Sequence, residues 1–386
     1  MITLKNIFSG DNLIDQYKKA VRGKRYHLNV IRYNEHALTN LLVLHNKIMS
    51  ETYVPKPDHS FVVYEPKKRI ITANAFEDKI VQGLLIDNAI IPAVDPKLIY
   101  DNYASRKGMG TKKALDRLDE FLHAYYINHG SNKGYVLRCD IRKYFYSINI
   151  PIVHQMIDRL PFDKRLKNLL FTEIRPWDQV DTGVCIGHEL SQWIAIFYLN
   201  SIDHMIKEKF KIKYYGRFMD DFYLVHENRD HLKECLYAIA EKLSELKLEL
   251  NEKTQLYPLR DGIKFLGFHT YLTETGKVKK VLLQPSIKRM HKRMFKYRTL
   301  IEQGILNIED VLNGFTAWKA HAIQGNSLKI LYWMDIEFFN LFHDILEYFN
   351  IPFWEYCYLP GRFENGGRVK EKDIIWAKER FSFNKQ

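Results

Sequence analysis

At 386 residues, 46% of them hydrophobic and 14% aromatic, the chain can bury a sizeable core in roughly two to three domains or subdomains. That composition excludes a disordered or low-complexity protein. With 58 Lys and Arg against 46 Asp and Glu the formal net charge is +12, which suits a polyanionic partner such as nucleic acid or an anionic surface, and no run approaches the ~20 apolar residues that span a bilayer.

In chain order, residues 1–11 lack the basic stretch and long apolar core of a targeting segment, which fits a reducing cytoplasm and no membrane partner. Helical periodicity runs through residues 35–51 and 76–89. Between them, strand-like residues 60–64 and 69–72 flank a basic turn. Residues 112–127 are helical, and residues 135–140 form an apolar strand ending in an acid, Asp140. Helices over 190–209 and 231–246 bracket strand-like runs 213–218 and 222–226, which flank Met219-Asp220-Asp221. Helices alternating with hairpins give the class α+β. Residues 286–300 carry Lys288, Arg289, Lys292, Arg293, Lys296 and Arg298 with no acid. There Ile287, Met290, Met294 and Tyr297 recur at helical spacing, so an apolar stripe is expected to dock and the cations to project outward. Alone, such a face is either simply solvated or suited to tracking phosphates. The four cysteines, Cys139, Cys185, Cys235 and Cys357, form no C-x-x-C pair and have no nearby His in zinc-finger spacing. Neither structural zinc nor a disulfide framework is therefore expected. Beyond Ile345 the tail is aromatic, with Phe349, Phe353, Trp354, Tyr356 and Tyr358, and then polar.

Nucleotidyl transfer by two metals needs carboxylates from different chain segments, each reaching a divalent ion while leaving room for triphosphate oxygens and waters. Asp140, at the end of one apolar run, and Asp220-Asp221, at a hairpin tip, offer such a set. Adjacent like charges repel unless a cation neutralises them, although Asp-Asp alone also suits an ordinary polar turn.

The run Arg138-Cys139-Asp140-Ile141-Arg142-Lys143-Tyr144-Phe145-Tyr146-Ser147-Ile148 resembles the first catalytic-carboxylate motif of bacterial reverse transcriptases. Phe218-Met219-Asp220-Asp221 resembles their aromatic-x-Asp-Asp hairpin. Gly183-Val184-Cys185-Ile186-Gly187-His188-Glu189-Leu190-Ser191-Gln192 resembles the dNTP-contacting loop and helix start, in the form typical of diversity-generating retroelements within the group II intron and retron-like superfamily. Leu250-Asn251-Glu252-Lys253-Thr254 follows, and Phe265-Leu266-Gly267-Phe268 is similar to the primer-grip turn. Upstream, Glu65-Pro66-Lys67-Lys68-Arg69-Ile70-Ile71-Thr72-Ala73 resembles the basic fingers hairpin, and Tyr103-Ala104-Ser105-Arg106-Lys107-Gly108 the next motif. Residues 309–321 resemble the helical thumb. The motifs keep the family's order over roughly residues 60–330.

This resemblance implies a right-hand polymerase with fingers, a ferredoxin-like palm and a helical thumb, making cDNA from an RNA template. It divides the chain into an N-terminal region and fingers with part of the palm (1–135), the rest of the palm (136–283), a basic thumb (284–345) and an extension (346–386). Asp140 and Asp220 would be direct ligands of two Mg²⁺ ions, with Mn²⁺ as the alternative, Asp221 a supporting carboxylate and the carbonyl of Ile141 a further metal-facing group. Lys68, Arg69 and Arg106 would clamp the triphosphate, and Ile186, Gly187 and Gln192 would contact the nucleotide. Phe145 would close against a ribose 2′-OH, unless it is a plain core phenylalanine, and Lys253 would protonate the pyrophosphate leaving group, unless it is only an exposed lysine. Phe265, Leu266 and Gly267, with Lys288, Arg289, Lys292, Arg293 and Lys296, would hold primer and template.

Many reverse transcriptases carry Gln and Pro where this chain has Ile186 and Gln192; both differences are shared with the diversity-generating type, which implies error-prone copying. Template RNA, the primer and cDNA strand, dNTPs, a small basic accessory protein and a structured non-coding RNA are the expected partners, in a bacterial or phage-encoded setting. After Phe268 there is no acidic cluster of RNase H type and no His-Asn-His site, so RNA removal is expected from another enzyme. An antiviral defence reverse transcriptase shares this core and is the main rival. A catalytically silent RNA-binding protein is a weaker one, because all three carboxylates are retained.

Overall fold

The computed structural model describes residues 1–64, 68–176 and 181–351; Lys67 of the basic turn and most of the aromatic tail, from Pro352 on, lie outside them. Strands β1 (His59–Val63) and β2 (Arg69–Ala73) pair antiparallel with Val63 opposite Arg69, on either side of the basic segment. The chain divides into two compact units, Met1–Leu118 with Gly134–Pro258, and Asp119–Lys133 with Leu259–Gln386.

The first unit is built on an antiparallel sheet of β3 (Tyr135–Cys139), β4 (Tyr214–Phe218), β5 (Asp221–His226) and β6 (Gln255–Pro258), in the order β4-β5-β3-β6. With helices after β3 and after β5, this is the β-α-β-β-α-β ferredoxin-like arrangement expected of a palm. Its central strands read as apolar runs because both faces are covered: Val136, Leu137, Phe222, Leu224 and Val225 are all buried. Helix Arg229–Glu245 buries Leu232, Cys235, Ile239 and Leu243, a stripe at helical spacing that packs on β3 and β5. Asn228 starts that helix by accepting the N–H groups of Asp230 and His231.

Two expected helices are interrupted. The first runs over Phe76–Leu85 and loosens into a π-type turn at Ile86–Ile90, and the second is split into Glu189–Tyr198, Asn200–His204 and a π-type turn at Met205–Lys209. In the first case Pro92 follows; it has no N–H to offer the preceding turn, so the hydrogen-bond ladder cannot continue in register. Helices Leu4–Ile7, Gly10–Val21 and Leu28–Asn34 precede the expected elements. The same unit holds a buried polar network. The Tyr53 hydroxyl sits 2.7 Å from both Asp78 and Glu173, and Gln82 donates to the other Glu173 oxygen at 2.8 Å. One hydroxyl proton cannot serve two carboxylates. Burial, above all, pushes Glu173 up to about 7, so it supplies the missing proton.

The second unit contains the sheet β7 (Ile263–Phe265), β8 (Phe268–Leu272) and β9 (Val278–Leu282) and helices Gln284–Glu302, Ile308–Ala322 and Leu328–Tyr348. Lys319 is fully buried with its Nζ 2.8 Å from Asp335, above the Phe315 ring at 4.6 Å. Arg298 donates to both carboxylate oxygens of Asp344, at 2.6 and 2.7 Å, and so clamps the first of these helices to the last. Among the described residues no helix is long and apolar enough to cross a membrane.

Candidate active site

Phe218 pairs with Asp221, which leaves Met219 and Asp220 as a two-residue turn at the end of β4 and β5. Met219 takes φ 56°, a left-handed conformation that costs a residue with a Cβ about 1–2 kcal/mol. Arg217 stabilises the turn from below. Wholly buried, it donates to the Met219 carbonyl at 2.9 Å and to the Ile196 carbonyl at 2.9 Å, while Nε and Nη2 hold Asp203 at 2.7 and 2.5 Å.

On the neighbouring strand, Cys139 pairs with Phe222, so Asp140 follows β3 at the end where Asp221 begins β5. The backbone there is fixed from the far side: Asn251 N–H donates to the Asp140 carbonyl at 2.7 Å and Arg142 N–H to the Glu249 carbonyl at 2.9 Å. Ile141 bridges Leu250 between those two bonds, and strand alternation turns its own carbonyl the opposite way. Sequence and register thus gather three carboxylates and one carbonyl at one end of the sheet.

Their electrostatics differ. Burial pushes Asp221 up to about 6, with Asp220 and Asp140 adding to the rise, against the pull of Arg138, whose Nε and Nη2 each lie 3.2 Å from it. Asp220 is also raised, first by burial and then by Asp140, while the charges of Arg69 and Arg217 oppose the rise. Among the described residues neither Asp140 nor Asp220 forms an ion pair, so two half-buried carboxylates face a third without counter-cations of their own. Hard oxygen donors in that state fit Mg²⁺ or Mn²⁺. The three do not close into one cluster of mutually adjacent donors; the described group that does is Asp58, Cys185 and His188.

The β1–β2 hairpin meets the loop before helix Glu189–Tyr198. Thr72 N–H donates to the Ile186 carbonyl at 2.7 Å, and a Cβ on Gly187, at φ +116°, would lie 2.4 Å from the Thr72 carbonyl oxygen. Only glycine fits there. Phe145 is half-buried and its carbonyl accepts Val184 N–H at 2.8 Å, which ties it to the same loop. Lys68 and Arg69 are exposed, and Arg69 is close enough to influence Asp220. Gln192 accepts the Ser105 hydroxyl at 2.7 Å. Arg106 is occupied internally: it holds Asp95 at 2.6 Å and the carbonyls of Ile99 and Asn102 at 2.8 and 2.9 Å. Lys253 is exposed, its N–H turned to Asn251 Oδ1 at 3.1 Å.

The other site residues of the sequence reading belong to the second unit. Leu266 and Gly267 form the β7–β8 turn with φ 48° and 88°, the double left-handed pattern of a type I′ hairpin. Helix Gln284–Glu302 buries Ile287, Met290 and Met294; Lys288, Arg289, Lys292 and Lys296 are exposed, and Arg293 is half-buried. Sequence reasoning passed over Arg138 and Arg217. The first had a signal: two residues before Asp140 on a strand, it shares that residue's face.

A family model described as reverse transcriptase (RNA-dependent DNA polymerase) matches residues 54–270. No curated protein matches the chain. Among solved structures it is similar to telomerase from Candida albicans in complex with a fragment of telomeric RNA, at 11% identity over 88% of this chain and 70% of that one, with a TM-score of 0.44. It is also similar to apo telomerase from Candida tropicalis truncated from its C-terminal domain, at 15% identity over 64% of this chain and 60% of that one, with a TM-score of 0.43. The family match spans more than half of the sequence, so the chain belongs to the reverse transcriptase family: an α+β right-hand polymerase and an RNA-directed DNA polymerase, hence a nucleotidyltransferase.

Proposed function

We propose that this reverse transcriptase extends a primer along an RNA template with dNTPs, using Asp140 and Asp220, supported by Asp221 and the Ile141 carbonyl, to hold two Mg²⁺ ions. The observation that carries the assignment is the pair of unpaired carboxylates, Asp140 and Asp220, beside a third that is steadied by Arg138. When bound, the ions supply Lewis-acid stabilisation of the attacking and leaving oxygens.

The chain's own groups do the positioning. Arg69 and Lys68 project from the β1–β2 hairpin and bind triphosphate oxygens, Arg69 nearest Asp220. Phe145 sets the floor under the sugar and excludes a 2′-OH by volume. Gly187 lets the loop backbone approach β2, and Ile186 and Gln192 contact the nucleotide in this reading. Lys253, exposed beside the Asp140 segment, donates a proton to the pyrophosphate. Arg106 braces the segment ahead of the helix that begins at Thr111 rather than reaching outward, and acts on the nucleotide through that frame. The Leu266-Gly267 turn grips the primer, and the lysines of helix Gln284–Glu302 follow the duplex backbone. Ile186 supports an error-prone enzyme of a diversity-generating retroelement, working with a structured RNA and a small basic accessory protein.

Asp220→Asn tests the metal assignment, since it removes a ligand without changing volume. Primer extension on an RNA template should fall by at least about 100-fold while circular dichroism and RNA affinity stay as in wild type. Wild-type extension by the folded variant would overturn the assignment.

A further inference from the structure

Away from the three carboxylates, Asp58, Cys185 and His188 bring an oxygen, a sulfur and a nitrogen within 4.8 Å of one another. Asp58 immediately precedes β1, and Cys185 and His188 stand at either end of the turn that carries Ile186 and Gly187. His188 is only 2% exposed and Cys185 7%. His188 N–H reaches back to the Cys185 carbonyl at 3.5 Å, so the two side chains start from one compact turn.

The His188 ring explains the cluster's chemistry. Its Nε2 lies 3.3 Å from Asp58 Oδ2, yet it is buried without a properly aligned hydrogen bond. A buried ring nitrogen left so costs about 1–3 kcal/mol. Its Nδ1 faces the Asn74 amide nitrogen at 3.3 Å, so in the metal-free protein Nδ1 accepts and the ring proton sits on Nε2 toward Asp58; a metal at Nε2 requires that amide to turn its oxygen to Nδ1–H, which releases the Nε2 lone pair to the cluster. Asp58 is also oriented. Arg175 takes its Oδ1 at 3.1 Å, which leaves Oδ2 for the inside.

We infer that Asp58, Cys185 and His188 form a zinc site that fastens the start of β1 to the loop before helix Glu189–Tyr198. One thiolate, one imidazole and one carboxylate suit Zn²⁺ and not Mg²⁺, and a water completes the tetrahedron. Binding exchanges the thiol proton, released to solvent, for the metal–sulfur bond, and involves no redox step. Donors around zinc sit about 3.3–3.8 Å apart, given bonds of about 2.0–2.3 Å, so the three must draw together from separations of up to 4.8 Å. No cysteine pair marks the site in the sequence, and Asp58 lies more than a hundred positions before Cys185 and His188. The site's influence on the nucleotide loop rests on the polymerase reading above; its metal content does not.

The test is elemental analysis of the full chain after growth with zinc and dialysis against excess Mg²⁺. Wild type should retain about one zinc per chain, and Cys185→Ser, His188→Ala and Asp58→Asn should each lose most of it. Chelator-stripped wild type titrated with Co²⁺ should develop a thiolate-to-cobalt charge-transfer band that Cys185→Ser lacks. X-ray absorption of zinc-loaded wild type needs no variant, and should show one sulfur at about 2.3 Å with nitrogen and oxygen at about 2.0–2.2 Å. Wild type without zinc and without the cobalt band would overturn the site, as would zinc with no sulfur ligand or zinc that all three variants retain. Primer extension by Asp220→Asn is read independently, so failure of one reading is distinguishable from failure of the other.

Discussion

Arg138 grips Asp221 through two parallel bonds of 3.2 Å, from a position on β3 two residues before Asp140. Burial, with the charges of Asp220 and Asp140, raises that carboxyl to about 6 against the pull of the guanidinium. Protons and divalent cations compete for such a group, so Mg²⁺ demand should rise as pH falls below about 6. Arg138→Gln should move the acid limb of single-nucleotide extension up by about one pH unit. A pH profile at subsaturating Mg²⁺ measures it; an unmoved limb would show that Arg138 does not govern Asp221.

The buried network around Glu173 predicts a pH effect on stability. Its folded pKa, about 7, lies above the ordinary 4.5, so the native state binds the extra proton. This contribution is complete at pH below the unfolded value and is lost as pH rises through about 7. The melting temperature without divalent ions should therefore fall between mildly acidic and mildly alkaline buffer. Glu173→Gln, neutral throughout, should remove most of that slope, worth up to about 3 kcal/mol. A slope equal to wild type would assign it to other groups.

Neutralising Lys288, Lys292 and Lys296 together with glutamine should weaken duplex binding for every sequence and reduce the salt slope by about 2–3 counterions. Fluorescence anisotropy at several salt concentrations reads both. An unchanged slope would make that helix face merely solvated.

Ile186→Gln tests the mutagenic reading. Isoleucine cannot hydrogen-bond a sugar or base, and an apolar contact discriminates by only about 1–3 kcal/mol. Wild type should misincorporate readily, and opposite template adenines above all if it is similar to diversity-generating enzymes in this respect. The variant should copy more faithfully. Deep sequencing of cDNA from one template decides between them, and rare wild-type errors without template bias would favour the defence enzyme.

What could be read ahead of the structure was local and periodic. The central strands and Arg229–Glu245 follow from apolar spacing, and the carboxylates stood out because their neighbours match family motifs. Pairings across the sheet and the loops carried no such signal. Arg106 looks like a phosphate ligand in sequence, yet three internal acceptors occupy it; Arg298 looks like another outward cation, yet Asp344 claims it. A basic residue's partner is set by tertiary packing, and periodicity describes only the face it starts from.

The Thr72 to Ile186 bond and the side-chain-free contact of Gly187 tie the β1–β2 hairpin to the loop before helix Glu189–Tyr198. On the proposed reading, a phosphate drawn to Arg69 would act on residue 186 through that bond, and grip on the triphosphate would be linked to scrutiny of the base. Enlarging residue 187 would wedge that contact open, and such an enzyme would lose hold and judgement together.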